Sequence, residues 1–423
     1  MMLDLIIKKS QNAKNDILSG ITVALALVPE AIAFSFVAHV DPRVGLYAAF
    51  MMGLITAVIG GRPGMISGAT GAVAVIFAPL MIQQIALHGI DVALGFLFLA
   101  VIMMGLIQVV FGLCKLGKLV RLIPHSVMLG FVNGLAIVIF KAQFSQFYIG
   151  TGSSAQLIKF QPLVIMCLLI VLTMAISHFL PKFTKAVPAT LVAIVCVTGV
   201  SFVLRSMGFE IYTVIDFVQN LDPTKTTIAA SLPTFALPPI SMESIRIVFP
   251  YAVLAAAVGL IESLMTLTLV DELTETRGSG NQESVAQGIA NIVNGLFGGM
   301  GGCAMIGQSM INIRAGGRGR LSGITAALSL LVFILIGAVL IESIPLAALV
   351  GVMFMVSIAT FEWSSFRIIK QIPRSDAFII GVVSVVTVWV DLAVAVFVGV
   401  IISALVFSWE QGKGIEAKIS NAQ

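Results

Sequence analysis

A carboxylate and a hydroxyl stand one helical turn apart in the apolar stretch "AVGLIESLMTLTLV", residues 257–270. Glu262 and Thr266 are four residues apart, so in a helix their side chains lie on the same face. Carboxylate and hydroxyl oxygens are hard donors that suit a small cation such as Na⁺. A buried carboxylic acid can instead hold a proton, because desolvation favours its neutral form. The stretch therefore predicts a site for Na⁺ or H⁺.

Burying a charged side chain in a membrane costs free energy, so a carboxylate within an apolar segment indicates a functional or structural role. An ionisable group at the centre of a bilayer costs at least about 2.5 kcal/mol on insertion scales, so it needs a partner, a cavity or a proton. The alternative for Glu262 is a structural role, bonded to a neighbouring helix. Glu30 is a second candidate for cation or proton coupling, in "ALALVPEAIAFSF". It follows Pro29, which frees backbone groups, so it either shapes the site or bonds the opened backbone.

Two apolar segments begin with small residues, in "MISGATGAVAVI" and in "GGCAMIGQSMINI". A helix that begins inside the membrane exposes unpaired N–H groups and the positive end of its dipole. Two such starts facing each other predict an anion site with little side-chain charge. Thr70 adds a hydroxyl at the first turn, beside the amides of Gly71 and Ala72. The alternative is that the glycines only permit close helix packing.

The composition predicts the class of fold that positions these residues. The chain has 423 residues, of which 59% are hydrophobic and 10% charged. Apolar stretches of about 20 residues, enough to cross the hydrocarbon core, recur along its whole length. We therefore expect an all-α polytopic membrane protein with about fourteen transmembrane segments. The first seven are predicted at 20–38, 44–60, 70–87, 93–113, 126–146, 163–180 and 187–205; the others at 247–270, 286–299, 304–313, 322–343, 345–361, 376–392 and 394–409.

The basic residues indicate how these segments are oriented. Most Lys and Arg fall at the two ends and in loops after even-numbered spans; the opposite side receives Arg43, Lys159, Arg205, Lys225 and Arg246. This asymmetry predicts a multi-pass protein with both termini in the cytoplasm. A polar connection near 208–244 separates a first repeat, 1–207, from a second, 245–412. Seven spans in each half make the second repeat inverted relative to the first.

Other functional classes find little support. The four cysteines form no CxxC pair or metal spacing, and we interpret them as small buried hydrophobes. There is no convincing catalytic dyad, so we expect no enzyme, and the net charge of +4 gives no case for a nucleic-acid partner.

"GRPG" and "RAGGRGR" are expected to be basic cytoplasmic loops. The N-terminus lacks the pattern of a removable signal peptide.

Three stretches together resemble a known family: "DILSGITVALALVPEAIAFSFVAHVDPRVGLYAAF", "GGRPGMISGATGAVAVI" and "NIVNGLFGGMGGCAMIGQSMINIRAGGRGRLSG". They resemble the SulP (solute carrier 26) anion transporters over essentially the whole chain. The resemblance implies a 7+7 inverted repeat with a core domain and a gate domain, usually in a homodimer. It places the substrate between the starts of the third and tenth spans. Relatives continue into a cytoplasmic STAS domain, which we expect to be absent from this chain.

The resemblance also implies particular ligands. In the similar cyanobacterial sodium–bicarbonate branch, the sodium ligands fall on Glu262 and Thr266. The anion ligands fall on Thr70 and near the backbone of Ala304, Met305 and Ile306. Three departures stand out. Glu262 replaces an Asp; Ile306 replaces a Thr, whose role Ser309 could take; and Gln308, a further anion-site candidate, stands where many animal relatives have an Arg.

We therefore expect a secondary active transporter that imports a small inorganic anion, of the sulfate or bicarbonate class, across the bacterial inner membrane. Uptake is expected to be coupled to Na⁺ or H⁺, with no cofactor other than Na⁺ as a coupling ion. Its partners are the anion, the lipid bilayer and a second copy of the chain. Alternatives within the same fold are a proton-coupled nucleobase or dicarboxylate symporter, and an uncoupled anion exchanger or channel.

Overall fold

The computed structural model describes most of the chain in a few continuous stretches. These are residues 13–117, 125–149, 156–184, 188–221, 232–368 and 372–389, together with the isolated positions 227, 395, 398–399, 401–403, 405–406 and 409. The predicted last span, 394–409, and the two termini lie largely or wholly outside the described residues, so their predicted placement stays a prediction.

The first half of the chain is a succession of helices with short connections. In chain order the elements are α1 (Ala13–Val37), α2 (Pro42–Ile59), β1 (Ser67–Gly68), α3 (Gly71–His88), α4 (Ile90–Leu113), α5 (His125–Ala142), a 3₁₀ turn (Gln143–Phe147), β2 (Tyr148–Ile149), β3 (Gln156–Leu157), α6 (Phe160–Phe183) and α7 (Ala189–Ser206). Strands β2 and β3 form an antiparallel pair.

The second half repeats the sequence of long helix, second helix, short strand and short helix. Its elements are α8 (Val214–Leu221), α9 (Met242–Thr274), α10 (Gly280–Leu296), β4 (Cys303–Ala304), α11 (Ile306–Arg314), α12 (Arg320–Ile336), α13 (Ala338–Glu342), α14 (Leu346–Thr360), α15 (Ser364–Ile368) and α16 (Arg374–Trp389). The helix α8 lies within the polar connection predicted near 208–244.

The predicted all-α membrane fold is confirmed. Within the described residues, nine helices are long and apolar enough to cross a membrane, and the shorter α12 and most of α16 are also apolar. A helix is present at each predicted segment before the last, usually with ends within a few residues of the predicted ones. The number of fourteen membrane crossings stays a prediction.

Packing divides the chain into two compact units. The first comprises residues 1–117 and 142–356, and the second comprises 118–141 and 357–423. In the second unit the amide of Asn133 donates to the hydroxyl of Ser365 at 3.0 Å, and its carbonyl oxygen accepts from the backbone of Glu362 at 2.9 Å. Asn133 therefore forms a hydrogen bond between α5 and α15.

Close packing within the first unit depends on small residues. A Cβ at Gly105 of α4 would lie 2.5 Å from the carbonyl oxygen of Gly288 in α10, and one at Gly288 would lie 2.6 Å from that of Gly105. Neither contact is possible for a larger residue, so glycine at both positions lets the two backbones touch. Small residues play this part in many membrane helix pairs.

The two halves of the chain are joined by a short antiparallel ladder. Ser67 of β1 lies opposite Ala304 of β4, and Gly68 lies opposite Cys303. These four residues are all buried. Because each strand immediately precedes a helix, the ladder fixes the start of α3 beside the start of α11.

Candidate functional site

The two small-residue segments singled out in the sequence meet in the structure. Helix α3 begins at Gly71 and helix α11 at Ile306, each directly after one strand of the β1–β4 ladder. The sequence predicted that these starts face each other. The pairing of the two strands brings the two helix starts, with their positive dipole ends, close together; that they face each other around an anion stays a prediction.

The start of α3 leaves backbone donors open. The first helical hydrogen bond runs from the Ala74 amide to the Thr70 carbonyl oxygen at 3.0 Å. The amides of Gly71, Ala72 and Val73 have no acceptor within the part of the chain that the structure describes. All three residues are buried, so open amides here favour an anionic partner.

The start of α11 has the same character. Its first bond runs from the Ser309 amide to the Met305 carbonyl oxygen at 3.0 Å. The amides of Ile306, Gly307 and Gln308 have no acceptor among the described residues. A Cβ built on Gly307 would meet nothing within 4 Å, so open space lies against this turn.

Two predicted backbone ligands have other partners in the structure. The Ala304 amide donates to the hydroxyl of Ser263 at 3.0 Å, and the Met305 amide donates to the carbonyl oxygen of Ile66 at 2.9 Å. On the α11 side the amides open to a ligand therefore begin at Ile306. Ser309, the suggested substitute for a missing threonine, accepts at its hydroxyl from the Ile66 amide at 3.0 Å.

Glu262 and Thr266 lie one turn apart on α9, as predicted. The Thr266 hydroxyl donates to the backbone carbonyl oxygen of Glu262 at 2.8 Å. The Glu262 carboxylate accepts a hydrogen bond from the Cys303 thiol, with Oε2 and Sγ 3.0 Å apart. The thiol sulfur is also 3.2 Å from the Thr70 hydroxyl oxygen. Cys303 thus joins the proposed cation residue to the proposed anion residue.

The interpretation of the cysteines as small buried hydrophobes missed this contact. Cys303 is 0% exposed and carries two polar neighbours. A signal was present in the sequence, because Cys303 directly precedes Ala304 at the second small-residue helix start. A cysteine next to predicted ligand residues can form polar contacts, and the interpretation as a hydrophobe did not allow for them.

The second carboxylate has a different partner. The side-chain amide of Gln308, on the first turn of α11, donates to Oε2 of Glu30 at 2.5 Å. The amide oxygen of Gln308 is buried and has no partner within the described residues. Helix α1 continues without a break through Pro29. Glu30 therefore bonds a side chain at the site rather than opened backbone of its own helix.

Amide side chains behind the ladder hold it in position. The Asn291 side chain accepts from the Gly302 amide at 2.9 Å and donates to the Gly302 carbonyl oxygen at 3.1 Å. The same side chain donates to Gln108 of α4 at 2.9 Å. Asn291 of α10 therefore forms a hydrogen bond to α4 and also fixes the residue before β4.

A buried acid supports the other strand. Glu283 of α10 accepts from the Gly61 amide at 2.8 Å and from the Gln287 side chain at 2.7 Å. Gln287 in turn donates to the hydroxyl of Ser67 in β1 at 2.8 Å. Nothing in the sequence pattern singled out Glu283 or Gln287, because the residues that they hold in position, Gly61 and Ser67, lie more than two hundred residues away in the chain.

The loop "GRPG" has a structural use. Arg62 forms an ion pair with Asp271 at 3.1 Å and donates to the carbonyl oxygen of Val270 at 3.2 Å. Burial lowers the pKa of the Arg62 guanidinium, and the neighbouring Asp271 carboxylate opposes that shift. The loop therefore ties the end of α2 to the end of α9.

These features define a class of protein. Discontinuous helices whose starts meet around polar groups, within a multi-pass helical fold, are characteristic of membrane transport proteins. Residues 14–383 match the model of the Sulfate permease family. The chain belongs to the sulfate permease family.

Individual relatives agree with this assignment. The chain is 48% identical over 400 residues to "Putative sulfate transporter YbaR" of Bacillus subtilis, covering 94% of this chain and 77% of that protein. It is 33% identical over 404 residues to "Bicarbonate transporter BicA" of Synechocystis sp., covering 93% of this chain and 69% of that protein.

Solved structures share the fold. The transmembrane domain of a cyanobacterium bicarbonate transporter BicA matches with a TM-score of 0.78 at 32% identity, covering 91% of this chain and 97% of that one. The murine Slc26a9 anion transporter in the inward-facing state matches with a TM-score of 0.79 at 15% identity, covering 97% of this chain and 71% of that one. The second match concerns the fold alone.

Proposed function

We propose that this protein imports a small inorganic anion of the sulfate or bicarbonate class, coupled to entry of Na⁺ or H⁺. The observation that carries the proposal is the meeting of the α3 and α11 starts through the β1–β4 ladder. The unpaired amides of Gly71 and Ala72 on one side and of Ile306 and Gly307 on the other bind the anion, and the Thr70 hydroxyl lies beside them.

Glu262 carries the coupling ion in this proposal. The Glu262 carboxylate is connected to Thr70 through Cys303. A cation or proton on Glu262 therefore changes the charge next to the anion site. An ionised Glu262 repels an anion at the helix starts, and neutralising it removes that repulsion. Thr266 is buried on the same helix face, and its hydroxyl oxygen retains acceptor capacity for Na⁺.

The sequence and the family support the proposed cellular setting. The protein acts as a homodimer in the bacterial inner membrane, with both termini in the cytoplasm. Movement of a core domain relative to a gate domain exposes the site to each side of the membrane in turn. The names of the relatives, which include both a sulfate and a bicarbonate transporter, support this range of substrates.

Uptake into proteoliposomes tests the proposal. Purified protein is reconstituted, and uptake of labelled sulfate, bicarbonate and succinate is measured with an inward Na⁺ gradient, an inward H⁺ gradient, or neither. Protein-free liposomes serve as the control. Accumulation of sulfate or bicarbonate above equilibrium under one gradient is expected, whereas accumulation of succinate alone, or none under either gradient, would overturn the proposal.

A further inference from the structure

The segment that leads into α9 exposes apolar residues and carries no charge. Residues 232–242, which form a strap, have the sequence "LPTFALPPISM". Leu232, Phe235, Leu237, Ile240 and Met242 are 58%, 59%, 69%, 68% and 82% exposed. Large contiguous apolar patches on a protein surface mark contacts with another protein or with a membrane. The strap therefore indicates a contact with an apolar partner.

Contacts with the end of α10 hold the strap in place. The Ala236 amide donates to the carbonyl oxygen of Leu296, the last residue of α10, at 2.8 Å. The ring of Phe235 packs edge-on against the ring of Phe297, with their centroids 5.6 Å apart. Because α10 leads into β4, the strap is bonded to the part of the chain that supplies one strand of the ladder.

A contact with α4 places the strap at the edge of the membrane. Pro239 lies against Gly95, where a Cβ would be only 2.9 Å from the proline Cδ. Helix α4 has 24 residues, a length of about 36 Å, against about 30 Å for the hydrocarbon core. Gly95 is five residues after the first residue of α4, or about 7.5 Å along its axis. With α4 centred in the core, Gly95 lies within about 5 Å of the hydrocarbon boundary, the depth at which amphipathic segments bind.

The backbone of the strap suits this depth. N–H groups that have no partner cost free energy next to the hydrocarbon core. Three of the eleven residues are prolines, which have no N–H group. The Ser241 amide donates to the hydroxyl of Ser244 at 2.9 Å, and the Ala236 amide is also bonded. The strap therefore has few open donors, and water at the membrane surface bonds the remaining ones.

A cationic side chain lies beside the strap at the start of α9. Arg246 follows Met242 by four residues, so the two share one face of the helix, and Phe249 continues that face. All three residues are exposed. Arg246 forms no ion pair within the part of the chain that the structure describes. A guanidinium next to an apolar surface suits a phospholipid, whose phosphate group lies above its acyl chains.

We propose that the strap binds phospholipid at the membrane surface, with Leu237, Ile240 and Met242 against the acyl chains and Arg246 at the phosphate groups. The depth of Gly95 and the cationic group favour the bilayer over a second copy of the chain as the partner. Lipid then covers the apolar side chains and keeps the strap against the end of α10. This contact requires no substrate, so it is independent of the proposed transport activity.

Tryptophan placed in the strap tests this proposal. Leu237→Trp and Ile240→Trp are reconstituted into phosphatidylcholine vesicles with or without bromine on the acyl chains, which quenches tryptophan emission on contact. The protein has three tryptophans of its own, so the added emission is the difference between each variant and the unmodified protein. Glu210→Trp is the matched control, because Glu210 is exposed and charged and lies in the same predicted connection.

We expect brominated lipid to remove most of the added emission in both strap variants and little of it in Glu210→Trp, which acrylamide in the water should quench instead. If brominated lipid quenches the strap variants no more than Glu210→Trp, the proposal is wrong. In that case, quenching by acrylamide would show that the strap faces water. Protection from both quenchers would show that protein, such as a second copy of the chain, covers it.

Discussion

The two carboxylates at the helix starts have different kinds of partner. Glu30 of α1 and Glu262 of α9 occupy matching positions in the two halves, and both contact the region where α3 and α11 begin. Glu30 accepts from the amide group of Gln308, whose NH₂ end can only donate. Glu262 accepts from the Cys303 thiol, which can either donate or accept.

The contact between Gln308 and Glu30 is a fixed contact, whereas the contact between Cys303 and Glu262 is reversible. The Gln308 NH₂ group stabilises an ionised Glu30 and cannot follow a change in its protonation without rotating the amide. The thiol can reverse its role where it stands. We therefore propose that Glu262 rather than Glu30 carries the coupling ion and that Glu30 shapes the site by positioning Gln308.

The largest expected effect comes from removing the charge at each position in turn. Glu262→Gln is expected to abolish accumulation above equilibrium, because its side chain no longer exchanges a proton or neutralises a cation. Glu30→Gln should slow uptake but keep its response to the gradient. Both variants are measured in the same proteoliposome assay with imposed gradients. Loss of gradient response in Glu30→Gln alone would reverse the two assignments.

A bulky residue at Gly307 tests whether the anion lies at the α11 start. Because a side chain there meets open space in the protein, Gly307→Leu should fold normally yet displace the anion. We expect the anion KM to rise at least about tenfold, the equivalent of roughly 1.4 kcal/mol of binding. The assay is initial uptake against anion concentration.

Gly199 of α7 supplies the matched control for that substitution. A Cβ there also meets nothing within 4 Å, and the residue is exposed. Gly199→Leu should change the anion KM by less than about 2-fold, as expected for a surface position. Equal effects at the two glycines would place the anion elsewhere.

The Thr70 hydroxyl is predicted to contribute a smaller amount. Thr70→Val keeps the shape of the side chain and removes its hydrogen bond, which should raise the anion KM about 2- to 12-fold. Thr70→Ser keeps the hydroxyl and should resemble the unmodified protein. Direct binding of labelled sulfate to the purified protein measures both. An unchanged affinity in Thr70→Val would remove Thr70 from the site.

The smallest effect on transport is expected at the fixed contact between Gln308 and Glu30. Gln308→Met leaves the half-buried Glu30 carboxylate without its donor, which should cost about 1–3 kcal/mol of stability. A lower melting temperature in detergent would report that loss. The response of uptake to the imposed ion gradient should persist in this variant, because Gln308 does not take part in the bonds of Glu262.

Much of the site could be predicted from local sequence features. Glu262 and Thr266 were found because charge is costly in an apolar helix and a four-residue spacing sets a common face. The paired starts of α3 and α11 were found because small residues interrupt apolar segments at matching places. Each of these signals lies within a few neighbouring residues.

The partners of these residues could not be predicted in the same way. Cys303 meets Thr70 only because β1 and β4 pair across more than two hundred residues of chain. The same is true of Gln308 with Glu30 and of Gln287 with Ser67. Such contacts depend on the ladder and on helix packing, and no local pattern encodes which hydrogen bonds the packing completes.

Ion movement that accompanies anion uptake tests the central assignment most directly. Proteoliposomes carrying entrapped dyes for pH and for Na⁺ receive an inward sulfate gradient, with no imposed gradient of Na⁺ or H⁺, and sulfate entry, internal pH and internal Na⁺ are followed together. We predict that the interior gains H⁺ or Na⁺ as sulfate enters through the unmodified protein and that Glu262→Gln admits sulfate without a gain of either ion. An equal gain of the ion per sulfate in both proteins would contradict the assignment of coupling to Glu262.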